Sequence, residues 1–139
     1  MKDTAAPLRK GYYDKLQGIS VGVFDELLPV NNTSKSYVLL TSQTADEART
    51  KERFMSLCTM LVMVVVRSLS HTGRIECDAI ADEVLQTINP LRASEGYIEM
   101  QGFQVLTTVL LQNESTHQMS GTEHIYRRLL RFQHKVIEN

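Results

Sequence analysis

The sequence predicts an α+β domain, a mainly antiparallel sheet of about four to five strands flanked by two helices. The first observation is the run 54–67, FMSLCTMLVMVVVR, which is apolar at both alternating sets of positions and therefore fits a strand buried on both faces. The second is the amphipathic segment 73–88 that follows it, and the third is a pair of alternating segments that close the chain.

Length and composition fit one domain over residues 1–139. The chain is 42% hydrophobic and 22% charged, as in ordinary globular proteins. A formal net charge of -1 excludes a strong overall attraction to nucleic acid. The N-terminus lacks the apolar stretch of a signal peptide, and the apolar core 57–66 is about half the length that spans a bilayer. We therefore expect synthesis in a cytoplasm and no membrane partner.

The N-terminal segment predicts a helix followed by two strands. Thr4 is a candidate helix cap and Gly18 a candidate end, and between them an apolar stripe recurs every four residues at Leu8, Tyr12 and Leu16. Alternation over 19–23 predicts the first strand. The segment 37–42 predicts a second strand, antiparallel to the first through the turn-rich loop 29–36. The charged segment 43–53 is expected to be an exposed loop or an extension of the flanking strands.

The apolar run predicts the central strand. Periodicity alone leaves helix and strand open for a continuous apolar segment, but its valines favour a pleated sheet. A strand buried on both faces needs two covering layers, and a chain of 139 residues has barely enough material for both. We therefore expect a neighbouring subunit to help cover it.

The next segment predicts a helix that begins after Thr72 and ends at Asn89-Pro90. Its expected inward stripe is Ile75, Ala79, Val84 and Ile88, widened by Ile80 and Leu85. Its acidic residues are expected on the exposed side, and they are Glu76, Asp78, Asp82 and Glu83.

The C-terminal segments predict two further strands. Apolar residues and threonine alternate with polar ones over 103–112, and the polar stretch 113–121 is expected to be a turn or a longer loop. In the last segment, 124–136, one face would hold Tyr126, Leu130, Phe132 and Val136. The other would hold Arg127, Arg131 and Lys135. A helix is the alternative for this final segment.

The candidate catalytic and metal-binding residues form no recognised motif. The four histidines have no cysteine or carboxylate at a zinc-ligand spacing. Ser70, His71 and Asp78 could be written as a triad, but no nucleophile elbow surrounds the serine. The glycines lack the spacing of a phosphate-binding loop. We therefore expect no enzyme activity, no metal and no cofactor, and we expect Cys58 and Cys77 to be buried reduced thiols.

Charge is distributed unevenly along the chain. Residues 75–100 contain six acidic residues and one basic residue, whereas the segment from Glu123 onward is mostly basic. One interpretation is a head-to-tail subunit interface that closes a ring. It would join Glu76, Asp82 and Glu83 of one subunit to Arg127, Arg131 and Lys135 of the next. The alternatives are two solvated faces, pairing within one subunit, or a basic face that makes weak contacts with DNA.

The order of elements resembles that of the small tail-terminator or tail-completion proteins of tailed bacteriophages, which lie in the neck between head and tail. The segments that carry the resemblance are 7–17, 19–23, 37–40, 57–66, 73–88, 103–111 and 124–136. The resemblance implies an α+β subunit that assembles into a ring around the channel that DNA traverses.

The function that the resemblance implies is structural. Such a virion protein joins or terminates the tail at the head-side connector, after assembly in the host cytoplasm. Its partners would be copies of itself, portal or connector proteins, tail proteins, and DNA that passes without sequence-specific binding. Arg49, Lys51 and Arg53 are candidates for contacts with neighbours or with the channel. The alternative function is a small cellular regulatory module that holds an apolar ligand between sheet and helix.

Overall fold

The structure, a computed structural model, describes residues 2–25, 34–48, 54–70, 72–90 and 96–139. Its elements, in chain order, are α1 (Ala5–Lys15), β1 (Gly22–Asp25), β2 (Ser36–Glu47), β3 (Met55–Ser68), α2 (Gly73–Ile88), β4 (Phe103–Ser120) and β5 (Glu123–Glu138). The strands form one sheet in the order β1-β2-β3-β5-β4. The predicted α+β class and the predicted order of elements are confirmed.

The apolar run is the central strand of the sheet, as predicted. β3 pairs antiparallel with β2 on one side and with β5 over its whole length on the other. The side chains on one of its faces are completely buried, namely Cys58, Met60, Val62, Val64 and Val66. β5 is also a strand throughout, so the helical alternative for the final segment is wrong.

Both helices pack on the same face of this sheet. The apolar stripe of α1 and the buried residues of α2 belong to one core cluster with the inward side chains of β1–β5. We call this the inner face, and the opposite one the outer face. Among the described segments no helix lies over the outer face. The first helix therefore does not cover the second side of β3. On that side Leu57, Leu61 and Met63 stay partly exposed, whereas Met55, Thr59 and Val65 are buried without a helix over them.

The first helix ends and packs largely as expected. Thr4 is the N-cap residue, but its hydroxyl makes no capping bond. Instead Asp3 Oδ1 accepts a hydrogen bond of 3.0 Å from the backbone N–H of Ala5. A short 3-10 turn, Leu16–Gly18, continues the helix to the predicted glycine. A Cβ on Gly11 would lie 2.6 Å from the carbonyl oxygen of Glu99, so a glycine is what allows α1 to approach that segment closely.

The pairing of β1 with β2 corrects the predicted direction. The two strands are parallel, with Val23 opposite Val38, and both side chains enter the core. Alternation with a period of two fixes which side chains share a face, but it carries no information about strand direction. Most of the predicted turn 29–36 lies outside the described residues, whereas 43–47 extends β2.

The predicted inward stripe of α2 is confirmed in part. Its buried face is Gly73, Cys77, Ile80, Ala81, Val84 and Ile88, whereas Ile75 and Ala79 point to solvent. Ile75 is 73% exposed. Ile80, Val84 and Ile88 are buried as predicted, whereas at the N-terminal end of the helix Gly73 and Cys77 face the core in place of Ile75. A Cβ on Gly73 would lie 2.7 Å from the Tyr126 ring.

β4 is longer and less regular than its sequence predicts. The polar stretch expected to be a turn or a loop is strand up to Ser120, and the reversal follows at Gly121, whose φ is +62°. A polar stretch can form a strand here because β4 is an edge strand with solvent around it. The register shifts between Val105 and Thr107 and again between Leu110 and Gln112. These bulges break the alternation, so Val109 and Leu111 are exposed.

Candidate subunit interface

Three basic residues of β5 form a row on the outer face. Arg127, Arg131 and Lys135 lie opposite Val65, Leu61 and Leu57 of β3, so they follow the predicted strand periodicity. We call them the basic row. Arg127 donates to Gln118 Oε1 at 3.0 Å, and Arg131 lies 3.5 Å from Ser42 Oγ. Both contacts are with uncharged groups, so they do not neutralise the positive charges of the two arginines.

The acidic residues predicted on α2 form a ridge on the side of the helix that faces away from the sheet or along its edge. We call Glu76, Asp82 and Glu83 the acidic ridge. Glu76 accepts a hydrogen bond of 2.6 Å from the Ser36 hydroxyl. Asp82 accepts one from Gln86, and Glu83 accepts from both the backbone N–H and the hydroxyl of Ser20. All these donors are uncharged, so the ridge keeps its negative charge.

The ridge and the row lie on opposite sides of the subunit. α2 covers the inner face, whereas the basic row projects from the outer face. Within the described ranges no ion pair joins the two sets. The alternative that they pair within one subunit is therefore wrong for these six residues. Complementary charges on opposite sides are the arrangement that a head-to-tail contact requires.

One ion pair between α2 and β5 does form within the subunit, so the alternative of internal pairing holds for Asp78 and Arg128. Arg128 donates to Asp78 Oδ1 at 2.7 Å and to Asn113 Oδ1. Arg128 is an odd number of residues from each member of the basic row, so its side chain lies on the inner face and reaches the flank of α2. The alternation of side chains along a strand is therefore the signal in the sequence that separates Arg128 from its basic neighbours.

The basic row is surrounded by partly exposed apolar side chains. On the outer face Leu61 and Met63 of β3 lie opposite Arg131 and Leu129 of β5, and all four are half-buried. A sheet face that combines aliphatic and arginine side chains resembles the composition of protein interfaces more than that of a solvated surface. The candidate loop residues Arg49, Lys51 and Arg53 lie outside the described residues.

A buried polar cluster joins α1 to the C-terminal strands. His134 is completely buried; its Nε2 is hydrogen bonded to the Tyr12 hydroxyl, and its Nδ1 lies 2.9 Å from Thr108 Oγ1. Burial lowers the pKa of His134 to about 4 and raises that of Tyr12. Both groups are therefore neutral at pH 7, and the cluster serves to fix α1 on the sheet.

The other candidate chemical groups do not assemble into a reactive site in the described part of the chain. Ser70 is hydrogen bonded to Ser68 and Thr72, Asp78 is bound by Arg128, and His71 lies outside the described residues. His117 and His124 stack at the β4–β5 turn, but no group of three metal-ligating side chains occurs among residues the structure describes. Both cysteines are buried and unpaired, as expected.

A comparison with solved structures shows that this fold is known. The chain is similar to a chain in a structure titled "Virion of native gene transfer agent (GTA) particle", with a TM-score of 0.77 and 15% sequence identity. The alignment covers 99% of each chain. The two chains share a fold. No protein-family model matches the sequence, and no curated protein matches it significantly. None of the described helices is long and apolar enough to cross a bilayer.

Proposed function

We propose that this chain is a structural virion protein of a phage-like particle, and that it forms a ring in the neck that joins or terminates the tail. The observation that carries the proposal is the similarity in fold, over 99% of both chains, to a component of a gene transfer agent virion. The order of elements, which resembles that of tail-terminator and tail-completion proteins, supports the same assignment.

The surface of the subunit suits a role in assembly. Charges of opposite sign lie on opposite sides of the fold, and the outer face of the sheet keeps aliphatic side chains accessible. Copies that associate through two different surfaces form a ring if the rotation between them closes. With a net charge of -1, the subunit would let DNA pass without binding it strongly. The portal or connector and the tail proteins would contact the two rims of the ring.

The alternative of a ligand-binding module has no supporting observation. An apolar ligand held between sheet and helix would need a cavity in that layer. Two grooves lie beside α1 among the described residues. One, of about 520 Å³, lies between α1 and the segment around Met100 and has Lys10 and Asp14 in its lining. The other, of about 300 Å³, lies between α1 and the strands β1 and β2 and has Arg9 and Asp25 in its lining. Both grooves carry charged side chains, which do not suit an apolar ligand.

Deletion and localisation in particles test the proposal. Deleting the gene from the producing genome should leave heads and tails that no longer join, and supplying the gene in trans should restore joined particles. Mass spectrometry should detect the chain in purified particles, and electron microscopy with an antibody should label the neck. Joined, infectious particles that lack the chain would refute the proposal, and label confined to another part of the virion would refute the neck position.

A further inference from the structure

We infer that the acidic ridge of one subunit docks on the basic row of a second copy, so that α2 lies across the partner's uncovered sheet face. This contact specifies the ring interface and therefore rests on the proposed function for its place in the virion. The contact itself depends only on the charges, burial and geometry of this chain.

The charges argue for a second copy as the occupant. Glu76, Asp82 and Glu83 accept hydrogen bonds from the uncharged donors Ser36, Gln86 and Ser20. Arg127 and Arg131 also contact uncharged groups, and no ion pair of the described chain involves Lys135. By contrast, Asp78 and Arg128 neutralise each other within the subunit. The unneutralised charges are therefore the ones placed on opposite sides.

The acidic ridge matches part of the basic row. Arg127, Arg131 and Lys135 are four residues apart along a strand, which separates successive members by about 13 Å and makes the whole row about 26 Å long. Glu76 and Glu83 are seven residues apart along the helix, which corresponds to a rise of about 10 Å. A ridge of that length fits between two successive basic residues, and the long arginine and lysine side chains cover the difference.

Apolar side chains accompany the charges on both surfaces. Ile75 and Ala79 project from α2 into solvent next to the ridge, where the inward stripe predicted from the sequence would have buried them. On the outer face of the sheet, Leu61 and Met63 are half-buried beside the basic row. Docking would bury the side chains of Ile75 and Ala79 against Leu61 and Met63 of the partner. The contact would therefore have a hydrophobic component as well as an electrostatic one.

The test is a charge exchange measured by light scattering and native mass spectrometry at low ionic strength. Arg131→Glu and Asp82→Lys should each raise the protein concentration needed for assembly by about tenfold or more, because each places like charges together. A mixture of the two variants should assemble like the wild type, since each supplies the surface that complements the other. Lys10→Glu, an exposed reversal on α1 outside both surfaces, should assemble normally.

The outcomes separate this contact from the proposed function. If the wild type assembles and neither variant weakens it, or if the mixture is not restored, the contact is wrong while the virion role stands. A wild-type protein that stays monomeric at high concentration also overturns the proposed contact. In that case another segment of the chain or another protein would cover the outer face. If the mixture of variants assembles but the chain is absent from purified particles, the contact stands and the virion role is refuted. If Arg131→Glu does not fold, as judged by circular dichroism, Lys135→Glu mixed with Glu76→Lys provides the same comparison.

Discussion

The buried His134 makes a quantitative prediction about acid stability. Its pKa is about 4 in the folded protein because burial disfavours the charged imidazolium, whereas the pKa in an unfolded chain is about 6.5. Below pH 6.5 the unfolded state binds a proton that the folded state does not. His134 therefore leaves stability intact above about pH 6.5 and lowers it as the pH falls toward 4. The difference of about 2.5 pKa units corresponds to a loss of about 3 kcal/mol.

Urea unfolding followed by circular dichroism would measure this loss at a series of pH values from 7.5 to about 4.5. A His134→Gln variant isolates the histidine from the carboxylates, which also titrate in acid. At pH 7.5 the variant should be less stable by about 1–3 kcal/mol, because the hydrogen bonds with Tyr12 and Thr108 are disturbed. Between pH 6.5 and 4.5 the gap should narrow or reverse. Parallel stability curves for the two proteins would refute the assignment of a neutral buried imidazole.

Three further predictions concern packing and burial. Val64→Asp should prevent folding, because an unpaired carboxylate at a completely buried position costs more than about 4 kcal/mol. Leu61→Asp lies on the outer face and is half-buried, so this variant should fold with a cooperative thermal transition but lose assembly. Failure of both variants to fold would show that the outer face is covered within the subunit. Gly11→Ala should lower the free energy of unfolding in urea by about 1–3 kcal/mol, because the added Cβ would lie 2.6 Å from the Glu99 carbonyl oxygen. In an ordinary helix the same change would raise that free energy by about 1 kcal/mol. An increase in the free energy of unfolding would therefore contradict the close approach of α1 to Glu99. Burial raises the pKa of both cysteine thiols to about 11, so a thiol reagent should label the native protein at pH 7 far more slowly than the urea-unfolded protein, and equal rates would contradict the burial.

The candidate interface was predicted in part. The alternation of side chains along the final strand was enough to place Arg127, Arg131 and Lys135 together on one face. The helical spacing of the apolar residues in α2 was enough to place its acidic residues away from the core. The sequence did not reveal that Asp78 is the partner of Arg128 on the inner face, because this contact depends on how α2 packs against the sheet. Nor did it reveal that Ile75 is exposed beside the acids, since an isoleucine in an amphipathic pattern is expected to point inward.

Local patterns in the sequence were enough to predict the order of the elements and most of their types, because a period of two or of 3.6 is a local property of the chain. They also identified β3 as the apolar centre of the sheet. The parallel pairing of β1, the bulges of β4 and the exposure of Ile75 on α2 were found only in the folded structure, since they depend on which distant backbone each segment contacts. It likewise decided that both helices share one face and that opposite charges lie on opposite sides. Periodicity specifies which side chains of one segment point the same way, but the packing of segments specifies what they face.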